Sequence, residues 1–262
     1  MYKRQGQKAV SCTKNDSAGN SYIVGSYNQA SAKFGNTTLA CSGYQDIFVA
    51  KCDSNGNFIW AKRAGGASAQ FSTDNGNGLV LDNSENLYVS GDYRDTADFS
   101  GIILPGKGLR TFLTKYDSSG NVIWISRAKG NNLSLGSVAI NADTTLFVHG
   151  SCFTGAITLN EGTPDSIVVP NNNNSSFFVK YDTSGKASLI IFLPQTAFIR
   201  DITTDNNNGI YVLGRFYATA SFGSTVLTCN GTGDIFTAKY DGNTGNLMWI
   251  KKIGLVTGNE QD

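Results

Sequence analysis

The 262 residues hold one histidine, His149, and three glutamates, Glu85, Glu161 and Glu260, so the side chains most used in acid–base chemistry are scarce. Ser-His-Asp or Cys-His catalysis would rest on His149 alone. It lies inside the strand-like run LFVHGS, reads as a packed strand residue, and leaves no metal site built on several histidines. Carboxylate catalysis of glycosidic bonds needs two facing acids. The glutamates fall in predicted turns or near the tail, and Asp46 and Asp234 open equivalent segments and so recur with the fold. The reading is non-enzymatic, with no cofactor.

Charge of one sign is also lacking. Twenty-one Lys and Arg oppose 20 Asp and Glu without a like-charged block, which removes the footprint of a nucleic-acid binder. No apolar window approaches membrane-spanning length, and MYKRQGQKAV has no apolar run behind its basic residues. Neither membrane insertion nor a signal peptide is expected. Cys12, Cys41, Cys52, Cys152 and Cys229 form no C-x-x-C pair and have no neighbouring histidine; they read as buried or turn thiols. A sustained i, i+3, i+4 apolar pattern is missing too, so helices should be scarce.

What is present is a repeat. Lys51, Lys115, Lys180 and Lys239 each open K-x-D and lie 64, 65 and 59 residues apart. An aromatic-V-x-G element begins at Tyr22, Tyr88, Phe147 and Tyr211, with gaps of 66, 59 and 64, so two independent markers keep a period near 62. Within one period the text reads GLVLD, NLYVSGDY, RTFLTKYD and NVIWISRA, four β-branched and aromatic runs separated by Gly, Asn, Asp and Ser. DSSGN between the last two supplies what a tight antiparallel hairpin needs. Trp60, Trp124 and Trp249 close that hairpin and are expected to fill space between units, while the third unit has Leu189 instead. A four-stranded unit has two apolar faces to bury; radial stacking buries them. The predicted fold is all-β, a β-propeller or propeller segment of four four-stranded antiparallel blades.

The stretches GLVLDNSENLYVSGDY, FGNTTL, DIFVAKCDSNGNFIWAKRAGG and DIFTAKYDGNTGNLMWIKKIG resemble the SBBP family, a β-propeller repeat of bacterial exported and surface proteins. The resemblance covers almost the whole chain. It implies a propeller in an extracellular or cell-surface setting and brings no catalytic residues; a virus particle is an alternative setting. The units span about 7–66, 67–130, 131–195 and 196–254 of a single repeat domain over 1–262, with 1–6 and 255–262 as remnants of neighbouring units. KRQG at Lys3 and KKIG at Lys251 stand 248 residues apart, four periods of 62. A closed ring, an arc of a larger ring, and two chains completing one ring all fit that phase.

The remaining motifs are weighed against turn chemistry. K-x-D can pair within a blade or hold a turn, or offer a ring of lysines to an anionic polymer. DNGNG at Asp74 and DNNNG at Asp205 resemble calcium loops but lack the twelfth-position glutamate of an EF-hand, so calcium is the one metal kept as an alternative. Sequons stand at Asn15, Asn36, Asn132, Asn173, Asn174 and Asn230. Binding should use loops on one face, where Phe71, Arg94, Arg110, Phe198 and Arg200 are the candidates. The expected partner is a protein, or a second copy through blade edges; the alternative is a lectin-like glycan-binding module with one pocket per blade.

Overall fold

The computed structural model describes residues 8–28, 30–67, 73–171, 173 and 175–254. The chain divides into two compact units, Met1–Lys129 and Gly130–Asp262. Strands are the only regular elements among the described residues, and no helix is long and apolar enough to cross a membrane.

In the first unit, β1 (Lys8–Asn15), β2 (Ser21–Tyr27), β5 (Asp46–Cys52) and β6 (Phe58–Gly65) form one antiparallel meander, with β3 (Ser31–Phe34) and β4 (Thr37–Ala40) as a small hairpin between its second and third strands. The next meander is β7 (Asn75–Leu81), β8 (Leu87–Arg94), β11 (Leu109–Tyr116) and β12 (Val122–Ala128), interrupted by the hairpin β9 (Ala97–Phe99) and β10 (Ile102–Leu104). The second unit repeats the plan. Its third sheet holds β13 (Ser134–Ile140), β14 (Leu146–Cys152), β17 (Ser175–Tyr181) and β18 (Ala187–Phe192), with the hairpin β15 (Ile157–Leu159) and β16 (Ile167–Val169). Its fourth holds β19 (Ala197–Thr204), β20 (Gly209–Phe216), β23 (Asp234–Asp241) and β24 (Leu247–Ile253), with β21 (Thr219–Phe222) and β22 (Thr225–Thr228).

Strand β5 shows why such a sequence makes such a sheet. DIFVAKC is buried at every position because both faces are covered. Ile47 and Val49 point into a core shared with Leu79, Val89 and Phe112 of the second sheet. Phe48 and Ala50, one residue out of step, meet Ala32 and Phe34 of the small hairpin. In the second unit Phe236 and Ala238 join Phe216, Ala220 and Phe222 in one core.

The turns follow from aspartate. Asp53 Oδ1 accepts the backbone N–H groups of Asn55 and Asn57 at 2.9 and 2.8 Å, and Asp117 does the same with Ser119 and Asn121. Thus the Asp of K-x-D holds the hairpin, while its Lys reaches elsewhere in the blade. Every first strand also carries a bulge, at Val10/Cys12, Gly76/Gly78, Leu135/Val138 and Ile199/Asp201, which re-aims the side chains there.

Candidate interaction surface

Three of the four sheets share one constellation. Tyr22, Lys51 and Trp60 lie directly opposite one another on β2, β5 and β6, as do Tyr88, Lys115 and Trp124, and Tyr211, Lys239 and Trp249. Each lysine Nζ sits 4.7 to 5.0 Å from its tyrosine ring centroid. Each also meets the aspartate of the first turn: Asp16 at 3.7 Å, Asp82 at 3.8 Å and Asp205 at 2.7 Å. The Lys239 hydrogen bond is the largest influence holding the Asp205 carboxyl well below its usual range. These lysines are engaged within their own sheets, Lys51 also by Glu85 of the next sheet at 3.5 Å, which leaves little for an anionic polymer. The third sheet places Phe147 and Leu189 opposite Lys180, and Asn141 stands at the sequence position of the turn aspartate.

The tryptophans are less enclosed than expected from their repeat. Trp60 does reach the next sheet, where its Nε1 donates to the Ser118 carbonyl at 3.0 Å, but Trp249 is 38% exposed. Of the two aspartates that open calcium-like runs, Asp74 is buried and accepts the N–H groups of Gly66 and Arg94, and Asp205 is paired with Lys239. No group of three or more metal-ligating side chains occurs among the described residues. The five cysteines are free thiols. Asp46 and Asp234, buried at equivalent positions, are bound by Arg63 at 2.8 Å and Lys252 at 2.6 Å. His149, whose pKa burial pushes down, takes a 2.8 Å hydrogen bond between Nδ1 and Ser137 Oγ. Asp201 acts on it only as a nearby charge, with no hydrogen bond or ion pair to complete a triad.

Four of the five predicted site residues, Arg94, Arg110, Phe198 and Arg200, are on strands, not in loops. Arg94 ends β8 and is exposed; Arg110 belongs to β11, and its Nη1 donates to the carbonyls of Lys107 and Leu109. Phe198 and Arg200 belong to β19, because regular pairing runs further into the strand ends than the turn-rich text suggests. Phe71, Glu260 and Asn174 lie outside the described residues. Phe198 is where a surface forms. Its ring meets Tyr217 edge-on at 5.8 Å, Arg215 lies opposite it across the ladder, and the Arg215 guanidinium sits 5.0 Å from the Tyr217 ring centre. Phe198 is 38% exposed, Tyr217 37% and Leu213 45%. Arg200 is exposed at the β19 bulge, and Phe153, just past the end of the neighbouring β14, is exposed too. Sequence reasoning missed Arg215, Tyr217 and Phe153; the signal was that these positions do not repeat, Tyr217 standing where Arg94 stands in the second sheet.

No family model matches the chain. An uncharacterized WD repeat-containing protein of Acanthamoeba polyphaga mimivirus is 25% identical over 235 residues, covering 76% of this chain. The chain spans only 17% of that relative's length. Among solved structures, a protein of unknown function from Bacteroides caccae covers 96% of this chain and 84% of its own length, at 10% identity and a TM-score of 0.34. The all-β architecture of four-stranded antiparallel meanders, together with a WD-repeat relative, fits a β-propeller repeat.

Proposed function

We propose that this chain is a non-enzymatic scaffold that binds a protein partner through the Phe198, Tyr217, Arg215 and Arg200 surface of its second unit. The observation that carries the reading is the exposed aromatic pair with an arginine stacked on it, Phe198 and Arg215 being held on β19 and β20 and Tyr217 standing one residue past the end of β20. Aromatic residues and arginine are the side chains that interface centres favour, and rigid placement lowers the ordering cost of binding. The WD repeat-containing relative supports an interaction scaffold. A lectin-like module would repeat its platform in each sheet, yet the equivalents of Phe198 and Tyr217 are Asn75 and Arg94 in the second sheet and Ser134 and Phe153 in the third. An exported, surface or particle-associated assembly as the setting rests on the SBBP resemblance.

The test is a double substitution, Phe198→Ala with Tyr217→Ala, in affinity capture from the native source. Both rings are partly in solvent, so the melting temperature should hold while a protein retained by the wild type is lost. A glycan array should give no hits. Capture unaffected by the variant would reject this surface, and glycan binding at several equal sites per chain would replace the reading with the lectin one.

A further inference from the structure

The fourth strand of each meander has an outer edge that its own sheet leaves unpaired. On β6 that edge is filled by the next sheet's hairpin, with Phe99 opposite Ala64 and Asp98 opposite Gly65. Arg63 spans the joint, 2.8 Å from Asp46 and 3.4 Å from Asp98, and Ser100 Oγ donates to the Arg63 carbonyl at 3.2 Å. Ala64 and Gly65 are buried there. In the third sheet the corresponding residues are Leu193 and Pro194, and proline has no N–H to offer. Accordingly β21 and β22 stay a separate two-stranded sheet.

Strand β24 keeps the features of β6. Lys252 stands where Arg63 stands, held by Asp234 as Arg63 is by Asp46, and Ile253 and Gly254 occupy the places of Ala64 and Gly65. Yet Ile253 is 51% exposed, Gly254 is exposed, and no strand is hydrogen-bonded to that edge among the described residues. We propose that the outer edge of β24 at residues 252–254 captures a β-hairpin lying outside this sequence, whose first strand carries an acidic residue followed by an aromatic, as Asp98-Phe99 does. The β6 joint supplies the geometry and Lys252 the charge. This chain's other hairpins place Lys33, Thr158 and Ser221 at the acidic position, and the matching one is already seated on β6. The occupant is therefore a hairpin that this sequence does not contain, not a second copy of it. This edge is on the last strand of the fourth sheet, and the Phe198 surface is built on the first two, so the two readings fail separately.

The probe is a fluorescent cyclised peptide with the sequence of residues 96–105, titrated with the full chain. Saturable binding is expected, weakened about tenfold when the peptide carries Asp98→Lys and about tenfold by Ile253→Asp in the protein. Ile253 is exposed, so that variant should melt like the wild type. Three results overturn the proposal: no saturation up to about 1 mM peptide, equal affinity for the charge-reversed peptide, or full binding to Ile253→Asp, which would put the peptide on β6 instead.

Discussion

Replacing Gly91 with alanine is expected to destabilise the protein by about 3 kcal/mol or more. Gly91 lies on β8 directly opposite Phe112 of β11. A Cβ at Gly91 would meet the Phe112 ring at 2.7 Å and press on the backbone carbonyl of Asn75, so neither rotamer change nor solvent can absorb it. The same close approach recurs at Gly25, Gly150 and Gly214 against Phe48, Phe177 and Phe236, at 2.9, 2.6 and 2.5 Å. This is why the motif is aromatic-V-x-G: the glycine lets the third strand's phenylalanine lie flat across the second strand. Urea unfolding of Gly91→Ala, Phe112→Leu and the double variant reads the coupling. The double should recover part of the loss, because shrinking the ring leaves the carbonyl clash in place. A Gly91→Ala protein as stable as the wild type would contradict the packing described.

Stability should rise as the pH is lowered from about 7 towards about 4. Burial pushes the Asp74 carboxyl up to about 7, the N–H groups of Arg94 and Gly66 oppose that shift, and the charges of Asp46 and Asp92 add to it. Arg63 faces the same cluster through Asp46. Unfolded, the group titrates near its ordinary value of 3.8. Between those values the native state keeps a proton that the unfolded chain has released, so raising the pH costs stability, about 4 kcal/mol over the whole interval. Below it the sign reverses. Asp53, held below its ordinary value by the Asn57 side chain, and Asp117, held there by the Asn121 backbone N–H, lose their stabilising contribution on protonation. Urea midpoints measured from pH 4 to 8 should therefore fall with rising pH in the wild type and change much less in Asp74→Asn. A wild-type midpoint that climbs steadily with pH would rule out Asp74 as the dominant group.

The repeat was legible because each of its marks has a local cause. Asp53 and Asp117 close turns two and four residues away, and alternation along DIFVAKC follows from the pleat. The third unit's departure is legible at Phe147 and Leu189, but not that the two flank Lys180, since they meet it only across strands. For the same reason the text could not show that Lys51, Lys115 and Lys239 bind the aspartate of the other turn, more than thirty residues earlier in each case. Turn-rich flanks suggest loops for Arg94, Phe198 and Arg200, whereas ladder pairing carries Arg94 and Phe198 into strands and Arg200 falls at the bulge of β19. The burial of Asp74 and the meeting of Ser137 with His149 depend on bulges and on neighbouring sheets, which periodicity does not encode.

The hairpin of β9 and β10 on β6 also bears on how the molecule responds to force. Together with the Asp74 N–H that donates to the Gln45 carbonyl, it joins the first two meanders by backbone hydrogen bonds. Pulled from its ends, the first unit should resist as a stitched pair of sheets and give way in a single large extension. The second unit, whose Pro194 removes the stitch, should pay out chain one sheet at a time.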